Sequence, residues 1–117
     1  MSIILIMDFL NFLRPFIHYG LHFVFPVFFA YFFYKKNWKK IAFILLCTML
    51  VDLDHLLAHP IFDPNRCSIG FHFLHQYWAI SIYTLMLFFP KTRIIAIGLL
   101  FHMITDSIDC WMMNITS

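Results

Sequence analysis

Four apolar stretches, Phe16 to Tyr34, Ile41 to Leu57, Tyr77 to Phe89 and Ile94 to about Met113, are separated by the segments KKNWKK, a longer polar run through residues 58–70, and PKTR. A helix that crosses a bilayer needs about 20 mostly apolar residues, and extending the third stretch back to Phe71 gives it nearly that length. The pattern predicts an all-α integral membrane protein, a single domain over residues 1–117, with four transmembrane helices over about 16–34, 41–57, 71–89 and 94–113. Residues 1–13 are apolar as well, but they stop at Arg14 and Pro15, where proline suits a helix start. They predict a short N-terminal interfacial helix. This stretch has no basic leader region and no small-residue cleavage site, so it is expected to stay in the mature chain.

Composition agrees with a bilayer rather than water as the solvent. The chain is 62% hydrophobic and 12% charged, with 16 Phe, against roughly 25% charge in a soluble globular domain. Runs such as Phe28, Phe29, Tyr31, Phe32, Phe33 and Tyr34 read as lipid-facing surface and interface belt, with Trp38 and Trp78 as anchors. Gly20 and Gly98 are expected where helices approach closely. There is no Gly-rich phosphate loop, no Gly-x-Ser-x-Gly elbow and no tandem repeat. Scattered basic residues give no footprint for nucleic acid, so no such partner is expected.

Six of the eight basic residues, Lys35, Lys36, Lys39, Lys40, Lys91 and Arg93, lie in the first and third connections. Short loops rich in Lys and Arg stay in the cytoplasm. This predicts a multi-pass protein of the bacterial inner membrane with its N-terminus, the 58–70 segment and its C-terminus on the periplasmic or external side.

Of seven His and six Asp, all but Asp8 and Asp63 fall within or beside the spans, although an ionisable group there costs about 2.5–3.5 kcal/mol on insertion scales. His18 and His22 begin the first span. Asp52, Asp54, His55 and His59 end the second, His72 and His75 open the third, and His102, Asp106 and Asp109 occupy the latter half of the fourth. Because consecutive spans run in opposite directions, all of these groups gather at the end away from the lysines. At about 100° per residue, Asp52, His55 and His59 share a sector of roughly 60°, as do His102, Asp106 and Asp109.

Imidazoles and carboxylates together suit a divalent transition metal, zinc first and iron or manganese next, and the donors suffice for two ions. The candidate ligands are His18, His22, Asp52, His55, His59, His72, His75, His102 and Asp106. The competing reading is a set of interhelical hydrogen bonds that glue the bundle. Asp54 points elsewhere on its helix and is expected to serve a second metal or to hydrogen-bond a ligating imidazole. Arg66 and Arg14 are candidates for binding an anionic substrate group. Cys67 and Cys110 fall on the same outer side and are expected to form a disulfide, whereas Cys47, near the middle of the second span, stays a free thiol.

The segments HYGLHF, MLVDLDHLLAHPIFDPNRCSIGFHFLH and GLLFHMITDSIDC together resemble an uncharacterised bacterial family of small membrane proteins, a domain of unknown function. The likeness covers residues 17–112. More distantly, the order His, Asp-x-Asp-His, His-x-x-His and His-x-x-x-Asp resembles the membrane-bound metal-dependent hydrolase family. That second resemblance implies metal ligation and hydrolysis, with the roles falling on His22 or His18, on Asp52, Asp54 and His55, and on His102 and Asp106. The Thr-His-Ser that follows Arg-Gly in that family is replaced here by Phe73-Leu74-His75-Gln76.

The function expected is a metal-dependent hydrolase at the membrane surface, acting on a phosphoester or another lipid-like substrate. The chain has no Glu, so Asp54 or Asp109 would be the catalytic base. Membrane lipid is the expected surrounding partner, and a homo-oligomer is compatible with the sequence. The alternatives are a metal-binding, haem-bearing or assembly subunit without catalysis, and a metal or proton transporter. The last would need polar groups through the cytoplasmic half, where only Tyr31, Tyr34, Tyr83 and Thr84 occur.

Overall fold

The computed structural model of the chain describes residues 2–63 and 65–116. Met1 of the expected N-terminal helix, Pro64 in the 58–70 segment and Ser117 lie outside the described residues. Helices make up every regular element among those described, and no strand occurs.

The chain opens with α1 (Ile3–Tyr19), a π-helical turn (Gly20–Val24) and α2 (Phe25–Phe33), which together form one helix from Ile3 to Phe33. Ser2 caps it, its hydroxyl accepting the Leu5 N–H at 3.3 Å. The separate interfacial helix expected over residues 1–13 is thereby corrected, because α1 runs straight through Pro15. A proline inside a helix forfeits one backbone hydrogen bond. Here the flanking turns stay in place because α1 packs along the last helix, to which Arg14 is bonded through Asp109. The π turn has a local cause as well. Pro26 has no N–H to give the His22 carbonyl, and the Phe25 N–H instead reaches back five residues to Gly20.

After a 3-10 turn (Lys35–Asn37), α3 (Trp38–Cys47) continues directly into a 3-10 helix (Thr48–Leu57). Irregular chain then leads to a second 3-10 turn (Phe73–His75), α4 (Tyr77–Met86) and α5 (Arg93–Thr116). The third expected span is shorter than its apolar run. Extended backbone at Gln76 divides it from the preceding turn, and the 10 residues of α4 rise about 15 Å at 1.5 Å per residue. Among the described residues two helices, Ile3–Phe33 and Arg93–Thr116, are long and apolar enough to cross a membrane.

Packing forms two apolar layers. Ala30, Ile41, Ala42 and Leu45 meet Ile94 and Ile97 at the end that carries the basic connections. Val51, Ala79, Tyr83 and Met103 form the next layer. Between the 3-10 helix and α5 the backbones come close: a Cβ placed on Gly98 would lie 2.6 Å from the Thr48 side chain. Gly98 thus meets its expectation. Gly20 does not, since a Cβ there would meet nothing within 4 Å. Phe28, Phe32 and Phe33 stand exposed on the outer surface.

Candidate metal centre

Beyond the second apolar layer the elements leave regular α geometry, and it is there that the polar groups converge. His22 lies on the π turn, Asp52, Asp54 and His55 on the 3-10 helix, and His75 on a 3-10 turn. A 3-10 helix repeats every three residues, so Thr48, Val51 and Asp54 form one buried face. Asp52 and His55 share another, with Asp52 Oδ1 3.7 Å from His55 Nδ1. On α5 the usual spacing of four brings His102 and Asp106 to the same side.

Four ligand atoms crowd one point: Asp52 Oδ1, His75 Nε2, His102 Nε2 and Asp106 Oδ2. His75 Nε2 is 3.2 Å from Asp52, 3.0 Å from Asp106 and 3.1 Å from His102 Nε2. His102 Nε2 is 2.9 Å from Asp52 and 3.1 Å from Asp106. A tetrahedral ion with bonds of about 2.0–2.1 Å needs ligand atoms about 3.3 Å apart. All five separations lie within a few tenths of an ångström of that value. Asp106 Oδ2 has no properly angled hydrogen bond in spite of its two close nitrogens. Four lone-pair atoms facing one another can share a proton only pairwise, whereas one cation satisfies all four.

The other oxygen of Asp106 faces the first helix. Its Oδ1 is 3.2 Å from His22 Nε2 and 4.0 Å from His18 Nδ1, and the ligand atoms of these three residues lie within 4.8 Å of one another. Asp54, His55 and His72 form a third such group, in which the His55 and His72 rings stack at 3.6 Å. Asp54 is fully engaged. Its Oδ2 accepts the Leu74 N–H at 2.8 Å and lies 2.7 Å from His75 Nδ1, and its Oδ1 lies 3.1 Å from His55 Nδ1. Of the two roles expected of Asp54, a second metal or a hydrogen bond to a ligating imidazole, its contacts with His75 and His55 fit the second and its group with His55 and His72 the first.

A cavity of about 280 Å³ opens beside these groups, its wall including Arg14, His18, Asp52, Arg66, Asp106 and Asp109. Asp109 takes the Arg14 guanidinium in two bonds, Nε at 2.7 Å and Nη2 at 3.1 Å. Arg66 donates to the carbonyls of Pro60 and Ile61 and lies over the Phe71 ring, while its buried Nε has no hydrogen-bond partner. Cys67 and Cys110 are joined in a disulfide with Cα atoms 5.1 Å apart, tying the segment that carries Arg66 to α5, and Cys47 is free.

His59 is the candidate that the fold excludes from these groups. The 3-10 helix ends at Leu57 and Ala58 is extended, so the helical projection that aligned His59 with His55 no longer applies, and His59 is exposed. Asp54, expected as a possible base, does not line the cavity. Tyr83, counted from the sequence only among the polar groups of the cytoplasmic half, has a place in the site as well: its hydroxyl donates to the Leu74 carbonyl at 2.9 Å and so steadies the turn that presents His75. The available signal was a phenol in an apolar run, which when buried usually finds a polar partner.

The fold and site define an all-helical protein with buried His/Asp clusters able to hold a metal ion. The chain belongs to the family of unknown function DUF6122, whose model matches residues 12–113 and so takes in every cluster described above. Neither the curated proteins nor the solved structures include a match.

Proposed function

We propose that the protein is a membrane-embedded metal-dependent hydrolase that acts on a phosphoester or another lipid-like substrate at the non-cytoplasmic surface. The observation that carries this reading is the four-atom centre of Asp52, His75, His102 and Asp106, whose mutual separations of 2.9–3.2 Å suit a single tetrahedral ion. Imidazole with carboxylate favours zinc, with iron or manganese next. A divalent ion held in these clusters with one coordination position open to water would lower the pKa of that water toward about 7. The protein's own groups then divide the remaining work. Asp54 fixes the tautomer and orientation of His75 through Nδ1. Asp109, on the cavity wall and held by Arg14, is the carboxylate we assign to take up a proton, and Arg66 is the cation that an anionic substrate group would meet.

The membrane setting rests on the two long apolar helices, on the exposed Phe residues and on the cost of so many ionisable groups in apolar spans unless they are functional. We read the four helical units as the membrane domain. α3 with its 3-10 extension and the short α4 would be completed by the apolar residues around them. The basic connections would face the cytoplasm and the cavity the periplasmic or external side.

Elemental analysis of protein purified without added metal tests the centre. At least one equivalent of transition metal is expected, lost in Asp106→Ala or His102→Ala and kept in His59→Ala. Equal metal content in all of these variants, or none in the parent protein, would refute it. Hydrolysis of a chromogenic phosphoester by the metal-loaded parent, abolished in Asp106→Ala, tests the reaction class.

A further inference from the structure

Resting on the metal centre just proposed, we infer that His18, His22 and the Oδ1 atom of Asp106 hold a second divalent cation, bridged to the first through the Asp106 carboxylate, and that this second position is the one open to substrate. His22 Nε2 lies 3.2 Å from Asp106 Oδ1 and His18 Nδ1 lies 4.0 Å from it. The two rings stand nearly perpendicular at 85°, with centroids 4.4 Å apart. His18 Nδ1 is buried without a hydrogen-bond partner. An unpartnered imidazole nitrogen aimed at a carboxylate oxygen that already faces a second imidazole forms three corners of a coordination shell.

The two positions differ in what they leave open. The four-atom centre takes every corner of a tetrahedron from the protein, and His75 and His102 are almost completely buried; a closed shell of this kind is the mark of a structural ion. The second position has three protein donors; His18 lies on the cavity wall, as do Asp106, which both positions share, and Asp52 of the first. Three protein ligands with one open corner is the arrangement of a catalytic ion. Two-metal hydrolytic sites hold their ions about 3.5–4 Å apart, and Asp106, with one oxygen toward each group of imidazoles, would be the residue shared by both ions.

Charge favours the same count. Asp52, Asp54, Asp63, Asp106 and Asp109 bring five carboxylates to the clusters and the cavity wall, and Arg14 and Arg66 bring two cations. With neutral imidazoles, one divalent ion still leaves this set negative, and a second gives it the surplus positive charge that an anionic phosphoester requires.

The test uses the full chain in detergent, stripped with a chelator and reloaded with Mn(II) or Zn(II), then desalted and counted by elemental analysis. Two ions per chain are expected in the parent protein and one in His22→Ala and in His18→Ala. Electron paramagnetic resonance of the Mn(II) form should change from an exchange-coupled signal to that of an isolated ion in both variants. His18 is partly exposed, so its replacement spares the core, and circular dichroism verifies that each variant is helical. A parent protein that binds one ion, with His22→Ala and His18→Ala unchanged and His102→Ala empty, would overturn the second site and leave the four-atom centre standing. A parent protein that binds no ion would overturn both.

Discussion

His75 Nδ1 lies 2.7 Å from Asp54 Oδ2, across 21 positions of sequence, and the same oxygen accepts the Leu74 N–H at 2.8 Å. Asp54 thereby grips both the backbone and the ring of the turn whose other nitrogen, His75 Nε2, faces Asp52, Asp106 and His102. Changes to such supporting groups typically cost about 10–100-fold in metal affinity. Asp54→Asn is therefore expected to weaken zinc binding by about that factor while leaving the number of ions per chain intact, as read by competition with a chromogenic chelator. An unchanged affinity would remove Asp54 from the positioning role.

The Cys67–Cys110 bridge closes a loop with a sequence separation of 43 and fastens the Arg66 segment over the cavity. On chain-entropy grounds it contributes about 2–4 kcal/mol. Mass spectrometry of the alkylated, non-reduced protein should find Cys47 modified and Cys67 linked to Cys110. Reduction should lower the thermal midpoint. Three alkylated cysteines in the absence of reductant would contradict the pairing.

Gly98 and Gly20 should respond to alanine in opposite ways. A Cβ at Gly98 would press on Thr48 at 2.6 Å, and overpacking of this kind costs about 1–3 kcal/mol. Adding Thr48→Ala should recover part of that loss, because it removes the two nearest atoms. Gly20 has ordinary right-handed helical backbone, φ −62°, and open space where its Cβ would stand, so Gly20→Ala should be neutral or stabilising by up to about 1 kcal/mol. Thermal unfolding of the three variants separates these outcomes, and equal effects at both glycines would argue against the close approach of the 3-10 helix to α5.

Orientation can be read with a single thiol. In a Cys47→Ala background with the disulfide intact, a cysteine replacing Asn65 should react with an impermeant maleimide in intact cells whose outer barrier has been opened. One replacing Asn37, in the basic connection, should react only after lysis. The opposite pattern would invert the proposed topology, which rests on six of eight basic residues lying in two connections.

What the sequence determined by itself was the helical class, the apolar stretches and the gathering of His and Asp at one end. These follow from composition and from the antiparallel course of consecutive helices, which need no knowledge of exact contacts. The Cys67–Cys110 pairing was legible for the same reason, since both residues fall on the side away from the lysines. What only the tertiary structure decided was local helix geometry and the sharing of atoms. Periodicity at 3.6 residues cannot announce a 3-10 run, yet that run is what buries Asp54 with Thr48 and Val51, and by ending at Leu57 leaves His59 outside. Nor could Pro15 be known to lie inside a helix rather than at its start, because the outcome depends on α1 packing against α5 and on Arg14 meeting Asp109, 95 residues away. The division of Asp106 between two groups of imidazoles, one on α5 and the His75 turn and the other on the first helix, is a three-body fact. It exists only once the helices are packed, because spacing along one helix fixes which residues share a face and leaves open which oxygen of a carboxylate each neighbour will face.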